Sequence, residues 1–163
     1  MTSEIRLRTR SPEETREVGA AIARVLAPGD VVSLTGDLGA GKTNLVQGAA
    51  RELGVEDPVG SPTFVLVREY NGALPIHHLD VYRLERIQEV LDLGFEDLLD
   101  PHGVVFIEWG GAIEGLLPAS HLEVELHTLE DEQDRDVTVR ARGPAWDARW
   151  SELIGSLGAW RAA

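Results

Sequence analysis

Residues Gly36, Asp37, Leu38, Gly39, Ala40, Gly41, Lys42 and Thr43 match the phosphate-binding pattern G-x-x-x-x-G-K-[ST] at every fixed position. The chemistry such a stretch performs is to hold the phosphates of a nucleotide. Glycines at 36, 39 and 41 let backbone N–H groups turn inward around phosphate oxygens, and a following helix points the positive end of its dipole at them. Lys42 is then expected between the β- and γ-phosphates, with the Thr43 hydroxyl on Mg²⁺. Composition supports this: of 15 Lys+Arg residues, Lys42 is the only lysine. A chain that uses arginine everywhere else keeps the compact ammonium where a planar fork would not fit among phosphates.

A Mg·nucleotide site also needs carboxylates, as metal ligands or to orient water. The chain offers two at strand ends. His78, Asp80 and Tyr82 recur at i, i+2 and i+4, so a strand there would place them on one face, followed by Arg83. Glu108 ends the apolar run Val104-Val105-Phe106-Ile107 and is followed by Trp109. By spacing alone the His78–Tyr82 row reads equally well as a solvent-facing polar edge, and His77, His78 and Asp80 could be metal ligands. Against the latter, Mg²⁺ prefers oxygen ligands, and the two histidines fall on opposite faces of a strand.

The elements that must position these groups are legible from periodicity. Val31–Leu34 reads as a buried strand and 44–53 as a helix, the context a phosphate loop requires. Before them, Glu4–Thr9 alternates as a half-buried edge strand. Ser11-Pro12-Glu13-Glu14 has capping-box spacing and opens a helix carrying Val18, Ile22 and Val25 on one face, with Pro28-Gly29 as its stop. Residues 58–63 are turn-rich, with Ser61 and Thr63 in an irregular segment. Strands at 64–70 and 74–81 are joined through Asn71-Gly72, a hairpin signal, and Pro75 suggests that the second lies near an edge or a bulge. A helical stretch is expected over 84–99, interrupted near Gly94. Two alternating strands, 122–126 and 137–142, flank an acidic turn. Trp146, Trp150, Leu153, Ile154, Leu157 and Trp160 recur at helical spacing, predicting a closing helix over 146–161 that packs on the core. Interleaved strands and helices around a phosphate loop imply an α/β three-layer sandwich, its sheet mixed because of the hairpin and the late strands.

Composition narrows the classes. A length of 163 residues suits a single domain spanning 1–163. The absence of cysteine excludes disulfides and thiolate metal sites. With no apolar leader and no run of 18 apolar residues, the expectation is a soluble, cytoplasmic protein without a membrane partner. A formal net charge of −13 argues against a broad electrostatic grip on nucleic acid, so any contact with tRNA should be indirect or local. The acidic residues around 123–136 read as a solvated hairpin rather than a docking surface.

With these pieces assembled, the chain closely resembles the TsaE (YjeE) family, ATPases of bacterial tRNA threonylcarbamoyladenosine (t6A) biosynthesis. The resemblance is carried by residues 36–43, by Ser61-Pro62-Thr63-Phe64, by His78-Leu79-Asp80-Val81-Tyr82-Arg83 and by Ile107-Glu108-Trp109. It implies a P-loop NTPase-like fold with a mixed β-sheet, ATP and Mg²⁺ as ligands, ATP hydrolysis, and action with TsaB and TsaD. It further implies that Thr43 and Glu108 serve Mg²⁺, that Asp80 is the catalytic carboxylate, and that residues 61–64 form a switch-like loop. Arg83 is the nearest internal candidate for an activating group, and Trp109 is suggested to lie near the adenine. Two departures stand out: Asn44 where the family commonly has a second threonine, and Gly110-Gly111 where it often has an acid. Asn44 is expected to donate toward a phosphate through its amide. The alternative reading is a small-molecule kinase. ATP is expected over GTP, because Lys42 is the only lysine and an N/T-K-x-D guanine-reading element cannot exist.

Overall fold

The computed structural model describes residues 2–37, 39–60, 67–81, 88, 91–92, 99–109 and 114–162. The chain runs β1 (Thr2–Thr9), α1 (Pro12–Ala23), β2 (Val31–Gly36), α2 (Lys42–Glu52), β3 (Val67–Asn71), β4 (Pro75–Val81), β5 (Val104–Trp109), β6 (His121–Thr128), β7 (Arg135–Arg142) and α3 (Trp150–Leu157). The helix expected over 84–99 lies almost wholly outside the described residues, although Gln88, Leu91 and Asp92 are helical. Ser61, Thr63, Phe64, Tyr82, Arg83, Gly110 and Gly111 also lie outside them, as do Leu38 and the Trp109 side chain.

All seven strands form one mixed sheet in the order β1-β7-β6-β2-β5-β4-β3. Its middle, β6-β2-β5-β4, is parallel, while β3 joins one edge and the β7-β1 pair the other, both antiparallel. In a parallel core the carboxyl ends of neighbouring strands gather at one edge of the sheet, where ligands of such folds bind. β2, β5 and β4 therefore deliver Gly36, Glu108 and Asp80 to the same edge.

One face of the sheet carries the larger core. Val32, Leu34, Ile76, Phe106, Val124 and Val139 pack there against Val18 and Ile22 of α1, Leu45 and Ala49 of α2, and Leu153 and Leu157 of α3. The opposite face carries Val31, Leu79, Val81, Val105 and Ile107, with Leu99, Leu116 and Leu117 against them. Period-2 alternation from Ile76 and Phe106 then assigns His78, Asp80 and Glu108 to the face on which α2 lies.

Local chemistry accounts for the helices. Ser11 caps α1, its hydroxyl accepting from the Glu14 N–H at 3.1 Å, and Glu14 reaches back to the Arg10 N–H at 3.0 Å. α1 ends at Ala23, short of Pro28, because i to i+3 bonds from Val25 to Ile22 and from Leu26 to Ala23 tighten its last turn. α1 and α2 meet backbone to backbone at glycines. A Cβ on Gly48 would stand 1.9 Å from the Arg16 carbonyl oxygen, and one on Gly19 would stand 2.0 Å from that of Leu45.

Three expectations are revised. The β3–β4 hairpin exists, but Asn71 pairs with Pro75 and the loop is 72–74. The Ala73 N–H donates to the Leu53 carbonyl at 2.5 Å, which docks the loop on the end of α2. β4 is interior rather than a polar, exposed edge; Pro75 is tolerated as its first residue. The closing helix is broken: 3₁₀ turns at Pro144–Trp146 and Gly158–Trp160 flank an α-helix of only eight residues. Its predicted core role holds, with Trp146, Leu153 and Leu157 buried. Arg149, lying over the Trp146 ring at 3.9 Å, makes a two-pronged bond to Asp30 at 2.6 and 2.8 Å, and this anchors the tail to the start of β2. Arg161 then bridges to Leu7 and covers the β1 edge.

Candidate nucleotide site

The loop after β2 has the backbone its sequence predicts. Gly36, Gly39 and Gly41 adopt φ of 135°, 77° and 105°, values unfavourable for any residue with a Cβ. Gly36 is doubly required, since a Cβ there would sit 2.0 Å from the Leu126 carbonyl oxygen of β6. Gly41 is the N-cap of α2 and supplies no side-chain cap, so the first N–H groups of the helix face the loop with their dipole. This is a cradle of the right sign for an anion.

Lys42 and Thr43 occupy the first turn of α2. The Lys42 side chain folds over the loop, where its Nζ donates to the carbonyls of Gly36 at 3.0 Å and Asp37 at 2.8 Å. Burial holds its pKa below the ordinary lysine value, an effect opposed by the negative charges of Glu108, Asp37 and Asp80. Thr43 faces the sheet, its Oγ1 donating to Glu108 Oε2 at 3.2 Å. Sixty-five residues separate the two in sequence; parallel pairing of β5 with β2, which sets Leu34 beside Glu108, brings them together.

Glu108 is buried and held from a second side. His78, fully buried on β4, has its Nε2 2.5 Å from the same Oε2, while its Nδ1 has no hydrogen-bond partner among the described residues. A carboxylate oxygen can only accept, so Nε2 carries a proton and donates it to Glu108. Asp80 is the in-register neighbour of Glu108 on β4 and is only half-buried. His77 falls on the other face and bonds Asp100 at 2.8 Å, so the two histidines do not converge. Among the described residues no group of three or more His, Cys, Asp or Glu is arranged to hold a metal ion by itself. What the site does offer is a pair of hard oxygens, Thr43 Oγ1 and Glu108 Oε2, beside an anion cradle. That donor set suits Mg²⁺ shared with phosphate oxygens, a cation that takes few protein ligands.

Two assignments change in detail. Asn44 does not turn toward the loop: its Nδ2 donates to the Pro12 carbonyl at 2.8 Å, and its Oδ1 accepts from Arg16 at 2.7 Å. It ties α1 to α2 instead. The Asp37 side chain is exposed, with His127 Nδ1 3.9 Å from its Oδ2. One residue escaped the sequence reading. Arg135, at the start of β7, donates to the loop carbonyls of Ala40 at 2.8 Å and Gly39 at 3.4 Å. No periodic or motif signal could have found it, because its role rests on β7 beginning beside the loop. The acidic stretch is partly neutralised, with Glu123 paired to Arg142 at 2.6 Å and Glu125 to Arg140 at 3.0 Å, while Glu130, Asp131 and Glu132 remain exposed.

Residues 9–137 match the family described as threonylcarbamoyl adenosine biosynthesis protein TsaE. The Bacillus subtilis (strain 168) protein named tRNA threonylcarbamoyladenosine biosynthesis protein TsaE is 40% identical over 151 residues, covering 92% of this chain and 94% of its own. The protein of the same name from Treponema pallidum (strain Nichols) is 39% identical over 131 residues, covering 80% and 96%. The crystal structure of Bacillus subtilis YdiB superposes with a TM-score of 0.79 at 36% identity, covering 98% of this chain and 97% of that one. With the phosphate loop and its neighbouring carboxylates set in the same mixed α/β sheet, the chain belongs to the TsaE family of tRNA t6A biosynthesis proteins.

Proposed function

We propose that this protein binds Mg·ATP at the Gly36–Thr43 loop and hydrolyses it slowly by itself and faster with TsaB and TsaD, as its part in t6A biosynthesis in the cytoplasm. The observation that best supports the reading is the bond from Thr43 to Glu108. It couples the last residue of the phosphate motif to a buried carboxylate on the adjacent strand. Lys42 holds the β- and γ-phosphates together with the N–H groups at the start of α2. Thr43 and Glu108 would hold Mg²⁺, which when bound would neutralise charge on the phosphates. Asp80, one strand further from the loop, orients the attacking water or accepts its proton. His78 fixes the Glu108 carboxylate. No helix among the described residues is long and apolar enough to cross a membrane, and the charge of −13 suits a protein partner better than direct backbone contact with tRNA.

The experiment is to mix the protein with TsaB and TsaD, follow co-elution, and measure phosphate release from Mg·ATP with and without them. A basal rate of roughly 10⁻⁴ to 10⁻² per second that rises on addition of the partners is expected. An isolated rate of about 10 per second, with label appearing on a metabolite instead of as free phosphate, would point to a kinase.

A further inference from the structure

Arg135 stands among acids, with Glu132, Asp134 and Asp136 flanking it in sequence. Among the described residues its guanidinium nevertheless makes no ion pair and donates to four backbone carbonyls. Nη1 reaches Glu132 at 2.6 Å and Asp134 at 2.8 Å, both in the turn between β6 and β7. Nε reaches Ala40 at 2.8 Å and Nη2 reaches Gly39 at 3.4 Å, both in the phosphate loop. One rigid group thus joins two segments through neutral oxygens. What it supplies is the fixed fork of its donors more than its charge.

The two segments differ in how well they hold themselves. The turn is closed by its own bonds: the Asp134 N–H donates to the Asp131 carbonyl at 3.1 Å, the Gln133 N–H donates to Asp131 Oδ1 at 3.1 Å, and Arg8 lies 3.6 Å from the Asp134 carboxylate. In the loop, Gly39 and Gly41 lack the Cβ that would narrow their backbone choices. The Ala40 N–H is tied back to the Asp37 carbonyl at 3.0 Å, but the carbonyls of Gly39 and Ala40 are held from outside, by Arg135. A trans peptide sets its C=O and its N–H on opposite sides of the chain. With the Ala40 carbonyl drawn to Arg135, the Gly41 N–H of the same peptide turns away from it, and among the described residues that N–H has no hydrogen-bond partner. Gly41 is the N-cap of α2, so this donor stands where an anion meets the helix.

We propose that Arg135 is a positioning residue for the bound phosphates: it locks the Ala40–Gly41 peptide to the β6–β7 turn and so presents the Gly41 N–H to a phosphate oxygen. It touches no phosphate itself and acts through the loop backbone. The donor is then aligned before the anion arrives and needs no reorganisation on binding. The assignment rests on reading the loop as a nucleotide site.

The test is titration of the full chain with inorganic Mg·tripolyphosphate, which carries phosphates without a nucleoside, followed by backbone amide NMR. In wild type the Gly41 amide is expected to shift on binding. Arg135→Ala should reduce that shift and weaken tripolyphosphate by roughly tenfold or more, the scale of one hydrogen bond to a charged group. Amides outside 36–43 and 130–136 should stay in place, whereas a general packing role would move them widely. Arg135→Lys keeps the charge but replaces the fork with one ammonium, so it should recover little of the loss. Unchanged tripolyphosphate affinity in Arg135→Ala would overturn the proposal. Full recovery in Arg135→Lys would overturn it too, by showing that charge alone is at work, and this variant decides the matter if Arg135→Ala does not fold. If wild type responds to neither Mg·tripolyphosphate nor Mg·ATP, the nucleotide reading itself fails.

Discussion

Asp80 and Glu108 are Cα partners in the parallel register of β4 and β5, yet only the strand of Glu108 adjoins the phosphate-loop strand β2. Two carboxylates on one face thus stand side by side at different distances from the loop strand. Glu108 reaches Thr43, and Asp80 stands one strand, about 4.8 Å, further out. Their substitutions should separate. Glu108→Ala is expected to weaken Mg²⁺-dependent ATP binding and turnover together. Asp80→Ala should keep ATP binding and lower turnover by roughly 10²-fold or more. Titration of Mg·ATP alongside single-turnover hydrolysis decides the matter: binding lost in Asp80→Ala and kept in Glu108→Ala would reverse the roles.

His78 acts through Glu108. Removing its N–H leaves the carboxylate oxygen with Thr43 as its one remaining partner among the described residues. His78→Leu is expected to weaken Mg²⁺-dependent nucleotide binding by roughly 10- to 100-fold, the scale of losing a group that orients a metal ligand. His78→Gln keeps a donor near the Nε2 position and should recover most of the loss. Equal damage from both variants would argue that His78 matters only for packing.

The contact between α1 and α2 sets where Lys42 and Thr43 stand. Gly48→Ala drives a methyl into the Arg16 carbonyl, so the helices must part, and about 1–3 kcal/mol of stability should be lost. Gly155→Ala, exposed on α3 with nothing near its Cβ, should instead gain up to about 1 kcal/mol from helix propensity. Urea unfolding of the two variants beside wild type measures both.

Acid should weaken one surface network in a defined direction. The hydrogen bond from His127, then that from Arg140, holds the Glu125 carboxyl below its ordinary value of 4.5. The folded state therefore binds this proton less readily than the unfolded chain. Its contribution is full above 4.5 and fades as pH falls below that value through the lowered folded pKa. Glu125→Gln should be less stable than wild type at neutral pH, and the gap should narrow below pH 4.5. A gap in thermal midpoint that stays constant across that range would contradict it.

Much of the fold was readable because its signals are local. The loop motif, the capped α1, the buried strands β2 and β5 and the hairpins each depend on residues within a few positions of one another, so spacing alone reveals them. The boundaries that moved did so under distant contacts. The β3–β4 loop lengthens to dock on Leu53, and the closing helix breaks where Arg149 must reach Asp30 and Arg161 must reach Leu7. The extra rim of the site, Arg135, lies 95 residues from Ala40 and leaves no trace in any window.

The sequence by itself determined which residues could do chemistry: a phosphate loop with a single lysine, a hydroxyl beside it, and two acids at strand ends. Residue type and short-range spacing are enough for that, since backbone conformation at glycine and helix polarity are local properties. Only the tertiary structure decided their order around the loop. Strand order is a long-range choice among pairings that similar alternating or apolar runs would all satisfy, and periodicity carries no information about which strand adjoins which. The placement of β5 between β2 and β4 sets Glu108 against Thr43, leaves Asp80 outside it, and through β6 and β7 brings Arg135 to the other flank.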